Sequence, residues 1–123
     1  MSVIENIHER TSYTKFRLSN HQLMIEKGRH LKIEKHCRLC PFCTSKVEEE
    51  HHFLLNCPMY THLRERLFAE IIKTIPDFYY PPDENFLFWF LLKCPIISHC
   101  TAHFINQADD LRSFLIAKHK NAW

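Results

Sequence analysis

Arg38-Leu39-Cys40-Pro41-Phe42-Cys43, followed by Val47-Glu48-Glu49-Glu50-His51-His52-Phe53-Leu54-Leu55-Asn56-Cys57-Pro58, decides how this chain is read. Reduced to side chains that bind metals, the stretch is Cys40-x2-Cys43-x8-His52-x4-Cys57. Two thiolates two residues apart chelate one ion from a tight turn, because the loop between them brings both sulfurs to one side. A His and a Cys five positions apart, across one helical turn or a bend, supply the other two corners. Three sulfurs and one imidazole form a closed tetrahedral set, the usual arrangement for structural zinc. Closure leaves no position for water or substrate, so such an ion holds a fold rather than performing chemistry. Inert buried cysteines are the plain alternative, and one CxxC alone would be a poor signal. The H-x4-C pair at close range raises the specificity. The residues leave the register open at two places, since Cys37 also pairs with Cys40 at x2 spacing and His51 adjoins His52.

Around this stretch, 123 residues make one domain, long enough for a modest core and short enough to gain from a metal staple. A single Gly is too few for the turns of a β-rich fold, so the composition leans helical. With 46% hydrophobic residues the chain is no disordered tail. Six Cys without a signal peptide argue for a reducing, intracellular compartment, nucleus or cytoplasm, where metal binding outcompetes disulfides. The longest apolar run, Phe86 to Leu92, is too short to span a bilayer.

The net charge of +2 hides an asymmetry. Residues 1–46 hold nine Lys/Arg against four Asp/Glu, and residues 47–123 hold seven against ten. A basic half suits a polyanion and an acidic half faces elsewhere.

Upstream, residues 2–19 read as a helix, with Ser2 as cap and Glu5 in capping-box spacing. Its apolar stripe of Val3, Ile4, Ile7, Tyr13, Phe16 and Leu18 is patchy. Gly28 marks a turn needing positive φ. Residues 30–36 alternate polar and apolar as a short strand would, allowing a small hairpin into the Cys turn. Glu48 to Asn56 reads as a short helix whose three Glu suit the positive end of its dipole, stopped by Pro58.

Downstream, Met59 to Ile75 is the clearest helix, with Leu63, Leu67, Phe68, Ile71, Ile72 and Ile75 on one face. Asp77 to Pro82 is a Pro-rich connector. Asp83 or Asn85 caps a buried helix over Phe86 to Leu92, ended by Pro95. A last helix over Ile97 to Lys118 lines up Phe104, Ile105, Ala108, Leu111, Leu115 and Ile116.

The knuckle and the stretch Tyr13-Thr14-Lys15-Phe16-Arg17-Leu18-Ser19-Asn20-His21-Gln22-Leu23-Met24-Ile25-Glu26-Lys27-Gly28-Arg29 together carry a family resemblance. They resemble a segment downstream of the polymerase in LINE-type (non-LTR) retrotransposon reverse transcriptases. That family runs roughly K-[FL]-R-[LI]-S-x-H-x-L-x-I-E-x-G-R, then R-x-C-x-x-C, then V-E-[DE]-E-x-H-F-L-x-x-C-P-x-Y. The likeness is dense over residues 13–66 and looser beyond, through a hydrophobic helix and an A-x-x-x-R helix, here Ala108 to Arg112. It implies Cys40, Cys43, His52 and Cys57 as the zinc ligands, with Cys37 and His51 as bystanders. No polymerase or endonuclease precedes the knuckle within this sequence, which departs from the family's context.

Other constellations are weaker. Cys94, His99, Cys100 and His103 suggest a second metal site, but Pro95 breaks its geometry and the family places no ligands there. Ala108-Asp109-Asp110 matches a polymerase catalytic triplet by letter only, inside an amphipathic helix. There is no nucleophile elbow or Gly-rich phosphate loop, and metal ligation quenches thiol nucleophiles, so the pattern points away from catalysis.

The reading is a mainly α domain over 1–123, organised around a CCHC zinc knuckle. A basic helix and turn span 1–36, the knuckle 37–58 and a helical part 59–123. Its expected cofactor is Zn2+ and its expected partner nucleic acid, single-stranded RNA or DNA, with no membrane and no small-molecule substrate. The expected contacts are Lys15, Arg17, His21, Lys27, Arg29, Lys32, Lys35 and Arg38 on phosphates, and Phe42 stacking on a base. The rival is a zinc-stabilised module that docks on a polymerase or other protein partner, supported by the aromatic Phe86 to Phe90 stretch. A retrotransposon-derived remnant without activity is a third.

Overall fold

The computed structural model describes residues 4–121, with side chains to residue 118. It is mainly helical and holds no β-strand among the described residues. Among the described residues there are five α-helices: α1 (Ile7–Arg17), α2 (Met24–His30), α3 (Thr61–Thr74), α4 (Glu84–Lys93) and α5 (Ser98–Asn121). Between α2 and α3 lies the Cys/His segment.

Helix α1 starts at Ile7 rather than at Ser2, which lies outside the described residues with Val3. Asn6 is the cap: its Oδ1 accepts from the N–H groups of His8 at 2.9 Å and Glu9 at 3.1 Å. Asn6 and Glu9 share the spacing that Ser2 and Glu5 have, so two capping boxes stand in tandem in the sequence. Among the described residues of the expected stripe, Tyr13 and Phe16 are buried, while Ile7 and Leu18 face solvent. Both rings lie in the shared core, and α1 packs chiefly on α5. Tyr13 Oη also donates to the Leu92 carbonyl at the end of α4 at 2.7 Å.

Two expectations upstream of the cysteines are corrected. Gly28 sits inside α2 and has no positive φ. What it needs is space: a Cβ there would lie 2.5 Å from Arg38 Cγ and 2.8 Å from Cδ. The alternating 30–36 stretch forms no strand and no hairpin. Leu31 instead caps α2, and Lys35–Cys37 is a single 3-10 turn. A period-two pattern needs a partner strand to become a ladder, and none lies beside it.

Helix α3 matches its sequence pattern. Leu67, Phe68 and Ile71 are buried, Leu63 and Ile75 pack partly, and Ile72 at the stripe's edge is exposed. Full burial of a Leu or Phe side chain contributes about 1.5–3 kcal/mol. Asp83 caps α4, its Oδ1 accepting from Asn85 N at 2.9 Å. The expectation that Phe86 to Leu92 is buried throughout is corrected: only Leu87, Leu91 and Leu92 are, and Phe86 and Trp89 stand in solvent. A helix on the surface of so small a core has one face to bury, whatever its composition.

Helix α5 forms the floor, packing on α1, α3 and α4, with Thr101, Ala102, Phe104, Ile105 and Ala108 buried. The buried residues of all these elements make one cluster. Among the described residues no single helix is long and apolar enough to cross a membrane.

Candidate metal centre

Cys40 enters on a turn closed by backbone bonds. Its N–H donates to the Lys46 carbonyl at 2.8 Å, and its carbonyl accepts from Thr44 N at 2.9 Å. One antiparallel bridge, Leu39 to Val47, ties the two sides together. Thr44 adopts φ 57°, which lets the chain turn back at once.

His52 and Cys57 come from a π-helical turn, His52–Asn56. In an α-helix, residues five apart point about 140° away from each other. Here the Cys57 N–H donates to the His52 carbonyl at 2.7 Å, a bond spanning five residues instead of four. The widened turn swings both side chains to one side, a use typical of π-turns at sites. The expected helix from Glu48 to Asn56 thus becomes a shorter helical piece that begins at Glu50 and widens at His52.

The result is a Cys-Cys-His cluster. One ligand atom each of Cys40, His52 and Cys57 lies within 4.8 Å of the others, and all three residues are buried. Cys40 and Cys57 Sγ are 3.8 Å apart. Cys43 stands outside that triplet but beside it, its Sγ 3.4 Å from His52 Nε2, and it is half-buried. The triplet can hold a metal ion. The hydrogen bond from Cys40 holds the Cys57 thiol down to about 7, against the upward push of burial. The same bond, with burial, raises Cys40. Metal ligation takes thiolates, so a bound cation would displace the protons these thiols hold. Cys37 is exposed, and His51 stacks on Phe88 at 5.4 Å, so neither joins the cluster.

Three buried polar side chains brace this centre, and the sequence reading had given none of them a role there. Glu48, expected to sit at a helix dipole, is 1% exposed and accepts from Met24 N at 2.7 Å and from Arg112. Arg64 donates to the carbonyls of Leu54, Cys57 and Phe53 at 2.9, 3.1 and 3.2 Å, satisfying the open end of the π-turn. Arg64 sits four residues before Phe68 and seven before Ile71, on the buried face of α3. A charge on an apolar stripe was the available signal. Tyr60 is buried against Phe53 at 4.9 Å, and its hydroxyl has no hydrogen-bond partner among the described residues.

The expected nucleic-acid residues divide. Lys15, Arg17, Lys27, Lys32 and Lys35 are exposed, and none has a carboxylate within ion-pair distance among the described residues. Arg29 is exposed and paired with Glu26 at 2.7 Å. His21 is taken up by Glu50, 2.9 Å away. Arg38 spends its guanidinium on the carbonyls of Ile33 at 2.9 Å and Ile25 at 3.1 Å. Phe42 is half-buried, edge-on to Tyr60 at 6.3 Å. No second cluster forms at Cys94, His99, Cys100 and His103 among the described residues. His103 pairs with Glu9 at 2.6 Å instead, and His99 bonds Cys100 at 3.3 Å.

Comparison with protein-family models, with curated proteins and with solved structures finds no match to this chain.

Proposed function

We propose that the chain is a zinc-stabilised nucleic-acid-binding module, related to the segment that follows the polymerase in LINE-type reverse transcriptases. The observation that carries the zinc half is the 3.8 Å between Cys40 and Cys57 Sγ. Thiolates at about 2.3 Å from a tetrahedral zinc stand about 3.8 Å apart, and a thiolate and an imidazole nitrogen about 3.5 Å. Cys43 and His52 Nε2, at 3.4 Å, match the second figure. Cys43 completes the four by turning its side chain toward the triplet. The set has three sulfurs and one nitrogen, which suits zinc over the oxygen-seeking cations. Zinc here joins the Cys turn to the π-turn and performs no chemistry.

The nucleic-acid half rests on the unpaired cations Lys15, Arg17, Lys27, Lys32 and Lys35, all within the basic first half. Cations without carboxylate partners are free to neutralise phosphates. His21 and Arg38 serve the fold in this reading, which narrows the contact set. The residues that resemble the family fall where they have structural uses: Gly28 makes room for Arg38, and Glu48 meets Arg112.

A titration with single-stranded RNA, single-stranded DNA and duplex at several salt concentrations tests this. Counterion release gives a slope of log K against log salt of roughly −0.7 per phosphate contact on single strands. Lys27→Gln with Lys35→Gln should flatten the slope by about 1.4 if each holds one phosphate. Zinc-loaded protein that binds none of these in a salt-dependent way overturns the reading. A protein-interaction module is the second reading, favoured by the solvent-facing Phe86 and Trp89 of α4.

A further inference from the structure

We infer that the crevice between the end of α1, residues 49–51 and α4 docks an arginine-rich segment of a partner protein. This gives the second reading a surface and a partner class, and it does not depend on nucleic-acid binding. The crevice has a volume of about 430 Å³, and Arg17, Glu49, Glu50, His51, Phe88 and Trp89 are among its lining residues.

Its aromatic wall is fixed in place. Trp89 is 53% exposed, yet Phe88 meets its ring edge-on at 5.2 Å. Phe88 is in turn stacked on His51 at 5.4 Å and 25°. Phe86, one turn earlier on α4, is exposed as well. Large apolar rings held out in solvent beside polar neighbours mark interaction sites.

The charges select what stacks there. Glu49 is exposed, and its carboxylate has no hydrogen bond or ion pair among the described residues. Glu50 is engaged by His21 and Ser19. Glu84, outside the lining itself, lies 3.9 Å from the lining residue His51 and is largely exposed. Against the two lining carboxylates, Glu49 and Glu50, the crevice sets Arg17, which lies 5.5 Å over Tyr13. Lys93, on α4, holds its Nζ 4.8 Å over the Trp89 ring, so that ring already receives a cation. A guanidinium satisfies both features at once, because its plane stacks on the indole while its fork takes a carboxylate such as Glu49. A nucleobase can use the same ring, but its phosphates would meet Glu49 and Glu50 against the single lining cation Arg17.

The test uses the intact, zinc-loaded chain and a fluorescein-labelled peptide of alternating arginine and glycine. A lysine–glycine peptide and an oligouridylate of equal charge number serve as comparisons. The arginine peptide should bind more tightly than the lysine one. Trp89→Ala and Glu49→Gln should each weaken it at least about fivefold, and Lys93→Gln, which removes a competing cation, should tighten it about twofold or more. Both weakening variants alter exposed side chains, and unchanged thermal melting verifies that they fold. Arginine-peptide affinity unchanged in both variants overturns the proposal. So does a result in which Trp89→Ala weakens the oligouridylate and spares the peptide.

Discussion

Arg112 in α5 forks onto Glu48, 64 residues earlier, with Nε 2.9 Å from Oε2 and Nη2 2.7 Å from Oε1. Both side chains are almost wholly buried. Glu48 also holds the Met24 N–H, while its backbone bonds the Arg38 carbonyl and the Ile25 N–H. One residue therefore fastens the Cys turn, the start of α2 and the last helix together. Removing one partner of a buried pair leaves the other's charge in a medium that cannot solvate it, which costs about 3–5 kcal/mol. Arg112→Ala should lower the free energy of unfolding, read from denaturant titration, by that much. In a double-mutant cycle, Glu48→Gln with Arg112→Met should cost clearly less than the two single changes summed. Strict additivity would show that the pair does not act as a unit.

Metal content should follow the geometry of the cluster. Protein refolded with zinc should carry one ion per chain. His52→Ala and Cys57→Ser should abolish that binding, because both are buried in the triplet. Cys43→Ser should weaken it less, since Cys43 is the half-buried corner where water can replace the lost sulfur. Cys37→Ser and His51→Ala should leave the metal content unchanged, as Cys37 is exposed and His51 stacks on Phe88. Metal analysis of the purified variants decides this, and zinc loss in Cys37→Ser would shift the register by one ligand.

Local periodicity and spacing determine part of this fold, and contacts between residues distant in sequence determine the rest. The stripe of α3 was legible because a 3.6-residue period is local information. The spacing of Cys40, His52 and Cys57 was legible because metal ligands come in a small set of spacings. The π-turn that makes H-x4-C work was not, since it depends on Arg64 reaching back to three carbonyls. Asn6 and Ser2 offer equivalent caps, and only the packing of Tyr13 and Phe16 makes use of the helix that follows Asn6. Along α4 the run of apolar residues named a helix but not its inner face. Arg112 lay in plain view four residues after Ala108, yet its partner is 64 positions away and no local pattern joins them.

Acid should release the clasp between α1's exit and the knuckle. Hydrogen bonding from His21, opposed by burial, holds the Glu50 carboxyl below its ordinary 4.5. A depressed carboxylate contributes stability that is complete above its unfolded pKa and is lost as pH falls through the folded one. Wild type should therefore exceed Glu50→Gln in stability at neutral pH. The difference should shrink as pH drops below 4.5 and vanish once the carboxylate is protonated in both states. Denaturant midpoints of the two proteins across an acid series measure it. A gap that stays constant into strong acid would mean that the charge of Glu50 contributes nothing.

Gly28 gives a prediction whose sign depends on another residue. A Cβ at this position would meet Arg38 at 2.5 Å from Cγ and 2.8 Å from Cδ. Those atoms are the stem that delivers the guanidinium to the Ile33 and Ile25 carbonyls. Gly28→Ala must therefore push Arg38 aside and strip two hydrogen bonds, at about 1–3 kcal/mol for a buried acceptor left unmet. Yet Gly28 lies inside α2 with ordinary helical φ, where Ala is intrinsically favoured over Gly by about 1 kcal/mol. In an Arg38→Ala background the obstacle is gone and only the helix preference remains. Gly28→Ala should then raise stability, reversing its effect in the wild-type chain. Thermal melting of the four proteins in this cycle checks it, and destabilisation of equal size in both backgrounds would show that Arg38 is not the reason for the glycine.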